Sequence, residues 1–184
     1  MIFTPQLIPD VLLIEPTIIG DNRGYFLEAF HKNELEDKVG HPVNFVQDNE
    51  SKSTRGVLRG LHYQLPPYTQ AKLVRVIVGN VLDVAVDIRK SSPTFGQHVS
   101  VELSGENKHQ LFIPRGFAHG FVVLSDSAIF SYKVDNYYAP AHDRGIIFDD
   151  PGLAIDWRLH KDALSLSEKD LSHPCLADSN DIYE

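Results

Sequence analysis

The chain is organised as many short apolar runs punctuated by turn-forming residues. Strand-like stretches rich in Val, Ile, Phe and Tyr occupy 11–15, 25–30, 45–49, 58–64, 73–78, 81–88, 98–103, 110–113, 120–123, 129–134 and 146–148. Residues of these types fit a pleated, half-buried surface. Between the runs stand Gly79-Asn80, Ser104-Gly105-Glu106-Asn107 and Ser125-Asp126, which supply the backbone freedom and local hydrogen bonds that turns need. A Gly-Asn pair flanked by apolar runs predicts a two-residue hairpin at 79 and 80. Helix is scarce. The stretch 33–39 has Asn33 as a cap and Gly40 as a stop, and Ser167 before Glu168, Lys169 and Asp170 opens a second, shorter helix. The spacing predicts an all-β jelly roll or sandwich with a few short helices. The polar, turn-rich tail after Leu171 is expected on the surface.

The 184 residues contain no linker, repeat or low-complexity run, so a single domain over 1–184 is expected. The net charge of −8 argues against nucleic acid or an anionic membrane as partner, because both demand a basic face. An anionic small molecule would need a local cluster of arginine and lysine. Cys175 is the sole cysteine, which excludes a disulfide within the chain and fits a reducing compartment. The start, Met1-Ile2-Phe3-Thr4-Pro5-Gln6, lacks a basic region, and the apolar run from Val11 to Ile14 is closed by Asp10 and Glu15. No signal peptide or membrane span is expected, and the location is expected to be cytoplasmic.

Candidate chemistry lies in two segments, Arg55-Gly56-Val57-Leu58-Arg59-Gly60-Leu61-His62-Tyr63-Gln64 and Phe112-Ile113-Pro114-Arg115-Gly116-Phe117-Ala118-His119-Gly120-Phe121. Each sets a histidine in a glycine-punctuated strand, so two imidazoles from separate strands can converge in one cavity. The second segment resembles the Pro-x-Gly-x-x-His half of the cupin signature. The first resembles the Gly-x5-His-x-His half through Gly56 and His62. Gln64 stands where a metal-binding cupin has its second histidine, and only Tyr68 or Thr69 where its glutamate would follow. A cupin metal site needs about four ligands of the His/Glu type, so no metal is expected. An unligated histidine is free to titrate near neutral pH, and the cavity reads as an acid–base site. Arg59, three residues before His62, argues against a plain apolar core there.

Further stretches carry a more specific resemblance: Gly20-Asp21-Asn22-Arg23-Gly24-Tyr25-Phe26, Phe45-Val46-Gln47-Asp48-Asn49-Glu50-Ser51, Lys72-Leu73-Val74-Arg75-Val76, Asp83-Val84-Ala85-Val86-Asp87-Ile88-Arg89, Tyr132-Lys133, Asn136-Tyr137-Tyr138 and Ile155-Asp156-Trp157. With the two histidine segments they run in order from about Gly20 to Asp170, and the chain resembles the dTDP-4-dehydrorhamnose 3,5-epimerases. The resemblance implies a cupin-type jelly-roll homodimer without metal or cofactor, inverting C3 and C5 of a 4-keto sugar carried on dTDP. It implies His62 as base, Asp170 as the carboxylate that orients it, Lys72 as the cation near the C4 oxygen and Tyr132 as the acid on the opposite face. Arg23, Arg59 and His119 match phosphate and nucleotide contacts. Glu28, Gln47, Asp48 and Asn49 match residues around nucleotide or sugar, Phe26 and Tyr138 match stacking partners for thymine, and Lys169 is a further contact. Asp143 stands where related enzymes often carry glutamate, and Arg158 follows Trp157 where proline is common.

The residues themselves leave other readings open. Tyr132 could pack as an ordinary strand aromatic, Lys72 could be a solvated strand-edge lysine, and Asp170 could serve a helix N-terminus three residues after Ser167. Arg23 could simply pair with Asp21 in its turn, and Phe26 and Tyr138 could be core. A non-catalytic sugar-binding cupin and a metal-dependent oxygenase are the competing functional classes, and Gln64 opposes the second; within the resembled class, enzymes inverting only C3 or only C5 of related dTDP-4-keto-6-deoxy sugars share these motifs.

Overall fold

Antiparallel pairing joins the strands into two facing sheets and a separate hairpin in the computed structural model, which describes residues 1–179, 182 and 183. One sheet has six strands in the order β1 (Ile2–Pro5), β2 (Leu12–Glu15), β10 (Gln110–Ile113), β7 (Lys72–Val78), β12 (Ser127–Val134) and β5 (Gln47–Thr54). The other has five, β13 (Asp143–Gly145), β6 (Leu58–Gln64), β11 (Phe117–Val123), β8 (Asn80–Asp87) and β9 (His98–Ser104). The hairpin pairs β3 (Ile18–Asp21) with β4 (Gly24–Leu27). This is the cupin-like jelly roll.

Alternation along each strand sorts the side chains. Val74, Val76, Leu111, Ile113 and Phe130 from the six-stranded sheet meet Val81, Ala85, Val99, Phe117 and Phe121 from the five-stranded one in a shared core. The outer face of the five-stranded sheet, built from Leu58, Leu61, Leu82, Val84, Val86 and Val122, is covered by Ile146, Phe148, Trp157 and Leu176. Being covered on both faces, β8 and β11 read as nearly unbroken apolar runs. The outer face of the six-stranded sheet offers Leu12, Ile14, Leu73 and Phe112 to Leu35 of helix α1 (Lys32–Val39).

Several expectations are corrected. Gly79-Asn80 does not form a hairpin, because β7 and β8 belong to different sheets. Gly79 instead turns the chain from one sheet to the other at φ +84°, where a Cβ would stand 2.1 Å from Ser127 O. The N-cap of α1 is His31, whose ring nitrogen accepts from Glu34 N, while Gly40 ends the helix in the left-handed region as expected. The run at 146–148 is buried but lies beyond β13, and β1 and β3 are additional strands. The tail is no loose surface segment: Leu176 is buried and Pro174 O accepts from Ile147 N. Among the described residues no helix is long and apolar enough to cross a membrane.

Candidate active site

A β-bulge sets the geometry. Phe121 pairs with Arg59 and His119 with His62, so Gly60 and Leu61 together oppose Gly120. The extra residue puts Arg59 and His62, three apart, on one face of β6, where regular alternation would separate them. Gly60 has φ +133°, and a Cβ there would lie 2.5 Å from Gly120 Cα, so only glycine fits the crossing. The space between the sheets then receives Arg59 and His62 from β6, His119 from β11, Asp83 from β8, Lys72 from β7, Tyr132 from β12, and Gln47, Asn49 and Ser53 from β5.

His62 meets Asp170 across 108 residues of sequence, Nε2 to Oδ1 at 2.5 Å. Asp170 is delivered by α2 (Glu168–Leu171), whose N-cap is Ser167. Asp170 bonds in both directions: its backbone N–H donates to Ser167 Oγ, Ser167 Oγ donates back to Oδ2 at 2.8 Å, and Oδ1 pairs with His62 Nε2. Burial works to raise the Asp170 carboxyl, but the bond and charge of His62 and the bond from Ser167 outweigh it and hold it below the usual value. An ionised carboxylate only accepts, so Nε2 carries the hydrogen and Nδ1 keeps the free lone pair. The His62 side chain is 33% exposed.

Lys72 is pushed down to about 8 by burial, against the opposing charges of Asp83 and Asp143. Its Nζ lies 3.5 Å from His62 O. Burial also raises the Tyr132 phenol, with Arg59 acting the other way, so at neutral pH it remains a proton donor. His119 is buried, bonded through Nε2 to Asp83 Oδ2 at 2.9 Å. Burial lowers it despite that carboxylate, and Lys72 and His62 add to the lowering. Arg59 stays exposed, its Nε donating to Ser53 Oγ at 3.2 Å, and Gln47 Nε2 donates to Asn49 Oδ1.

Tyr138, Asp143 and Lys169 gather beside the end of β6, where Asp143 pairs with Gln64. Asp143 Oδ2 accepts from both Tyr138 Oη and Lys169 Nζ. Gln64 itself is committed to the backbone, donating to Tyr68 O and Tyr137 O and accepting from Ala139 N.

Four sequence candidates are not brought into this cavity. Asp48 points to the opposite face of β5 from Gln47 and Asn49 and pairs with Lys133 at 2.8 Å. Arg23, Phe26 and Glu28 belong to the β3–β4 hairpin and the residue after it, exposed outside the six-stranded sheet, with Arg23 paired to Asp21 at 2.5 Å. Two cavity residues were missed, Asp83 and His173. Asp83 lay in a quoted motif but looked like one polar residue in an apolar strand, and His173 lay in the supposed surface tail.

Among the described residues two groups bring three ligand-type atoms within 4.8 Å of one another: His62, Asp170 and His173, and Glu28, His31 and Glu34. In the first, Asp170 Oδ1 is spent on His62; in the second, the His31 ring caps α1. A separate cavity of about 680 Å³ is lined by Lys38, Arg89 and Arg115 among others, but both arginines are paired, with Asp10 and Asp87 and with Asp135.

Known proteins resemble the chain over most of its length. The dTDP-4-dehydrorhamnose 3,5-epimerase family model matches residues 5–178. The dTDP-4-dehydrorhamnose 3,5-epimerase of Shigella flexneri is 57% identical over 173 residues, 94% of this chain and 94% of its own. That of Pseudomonas aeruginosa is 57% identical over 177 residues, 96% and 97% of the two chains. The crystal structure of the dTDP-6-deoxy-D-glucose-3,5-epimerase of Legionella pneumophila in complex with dTDP-4-keto-L-rhamnose superposes with a TM-score of 0.93 at 52% identity, covering 97% of this chain and 94% of that one. The chain belongs to the dTDP-4-dehydrorhamnose 3,5-epimerase family.

Proposed function

We propose that the chain converts dTDP-4-dehydro-6-deoxy-D-glucose to dTDP-4-dehydro-L-rhamnose, with His62 as the base at both C3 and C5. A proton beside a ketone is weakly acidic, and its removal needs a placed base, a partner for the enolate oxygen and an acid to return a proton. Nδ1 of His62 takes the proton while Asp170 stabilises the resulting imidazolium. The Lys72 ammonium faces the developing charge on the C4 oxygen. Tyr132 returns a proton from the other side.

The observation that carries the reading is the placement of His62 and Tyr132 on opposite sheets facing one cavity. Removal from one face and return to the other inverts the carbon. Arg59, His119, Gln47 and Asn49 line the path of the nucleotide and sugar, with Tyr138, Asp143 and Lys169 beside it. Arg23, Phe26 and Glu28 serve binding by reaching the cavity of a second copy in a homodimer. Supporting this, their hairpin exposes Ile18, Ile19, Tyr25 and Phe26 at 47%, 65%, 58% and 67%, an apolar surface of the kind that partners cover.

The test is incubation with the 4-keto sugar nucleotide in D2O, followed by NMR of C3 and C5 and by a coupled NADPH-dependent reductase. Deuterium at both carbons with reducible product is expected. Exchange at one carbon alone would make it a single-position epimerase, and tight binding without exchange a sugar-binding protein.

A further inference from the structure

His173 sits three residues after Asp170, just beyond α2, with its side chain 10% exposed. Among the described residues its Nε2 has no hydrogen-bond partner, and it lies 3.9 Å from Asp170 Oδ1, the oxygen that serves His62. The His173 and His62 rings meet edge to face, with centroids 5.7 Å apart and planes at 80°. Gly145, which pairs with His62 across β13 and β6, makes room for the ring. A Cβ there would stand 2.3 Å from His173 Nε2, 2.4 Å from Cδ2 and 2.7 Å from Cε1, distances no real side chain sustains.

The charged and titratable groups facing His173 are His62 from β6, Asp143 from β13, and Lys169 and Asp170 from α2. Burial lowers its basicity, His62 and Lys169 add to this, and the two carboxylates only partly offset it. The ring is therefore neutral at neutral pH. A cation in this place would compete with His62 for Asp170.

We propose that His173 is a positioning residue for the base: its ring, seated on Gly145, walls the His62–Asp170 hydrogen bond off from water and fixes the tilt of the His62 imidazole. The effect on turnover rests on the reading of His62 as base. Shape, and no hydrogen bond from Nε2, holds the ring, so an apolar ring of similar size replaces it and alanine does not.

The test compares His173→Ala, His173→Phe, Gly145→Ala and the double variant Gly145→Ala/His173→Ala. Turnover per folded molecule is one readout. The other, on protein without substrate, is the low-field proton resonance of the His62 Nε2–H, assigned by its loss in His62→Gln. In His173→Ala turnover falls roughly tenfold with KM little changed, the scale of a small misplacement of a reacting group, and the resonance broadens by exchange with water. His173→Phe keeps both. Gly145→Ala mimics His173→Ala, and the double variant is no worse than His173→Ala.

Wild-type turnover with a sharp resonance in His173→Ala overturns the proposal, even if the melting temperature drops. So does a Gly145→Ala protein that matches wild type, or a wild-type resonance already lost to water. If the enzyme shows no exchange at C3 or C5, the functional reading fails while the resonance still decides whether His173 guards the bond.

Discussion

The β6–β11 strand pair carries two imidazole–carboxylate pairs side by side, and they differ in their access to water. His119 is held by Asp83 from the adjoining strand, with side chains 8% and 0% exposed. His62 is held by Asp170 from near the end of the chain, and its side chain is 33% exposed. Burial keeps the inner ring neutral and cuts off its route for proton exchange, leaving a fixed hydrogen-bonding wall of the cavity. The outer ring has the same kind of partner and a path to solvent. Access, more than residue type, separates the proposed base from the scaffold.

Removing one carboxylate charge at a time breaks the comparison most sharply. Asp170→Asn keeps the shape but cannot stabilise imidazolium, so turnover should fall by roughly 10²–10⁴ with little change in melting temperature. Asp83→Asn should do the reverse, costing about 1–3 kcal/mol of stability because the fully buried amide brings N–H groups without partners, with a much smaller loss of turnover per folded molecule. Rate assays beside thermal melts read both. Equal catalytic loss without loss of stability in Asp83→Asn would make the two pairs equivalent.

Lys72 lies between the pairs and gives a smaller but two-sided effect. Lys72→Met should lower turnover by about 10²–10³, the loss typical for one oxyanion donor, while raising stability at neutral pH by removing a buried charge. The wild-type ammonium falls from its ordinary 10.5 to about 8 on folding. Below about 8 both folded and unfolded chains hold the proton and the cost of burial is complete; it is relieved as pH rises through the window from about 8 to 10.5. Turnover should therefore fall above about pH 8 while wild-type stability rises over that window, and Lys72→Met should show neither trend. An alkaline limit that persists in Lys72→Met would assign it to another group.

Chelation is expected to change nothing. Gln64 is committed to loop backbone and Asp170 Oδ1 to His62, so a metal would have to break bonds already made. Stoichiometric zinc, iron or manganese, with activity lost on removal and regained on return, would contradict this.

The same contrast explains what the sequence could disclose. The limits of β6 and β10 are readable as apolar runs because both ends are marked by turn chemistry. Gly79-Asn80 misleads because a Gly-Asn turn looks the same whether the chain returns within a sheet or crosses to the facing one. His31 escapes as a cap because its ring nitrogen does the work usually given to Asn or Ser. In the site, Asp48 sits between Gln47 and Asn49 in the motif, but strand alternation alone sends it outward. The bulge at Gly60 and Leu61 is hidden in the same way, although it is what brings Arg59 and His62 to one face. Asp83 and His173 could not be placed from local pattern, since their importance comes from partners 36 residues away and across the tail-to-sheet contact.

Deuterium incorporation at C3 and C5 by His62→Ala tests the account most directly. Loss at both carbons is predicted, by about 10²–10⁴-fold as expected for removal of a general base, with dTDP-sugar binding retained. Near-normal exchange at either carbon would put the base elsewhere and leave the His62–Asp170 pair without its assigned role.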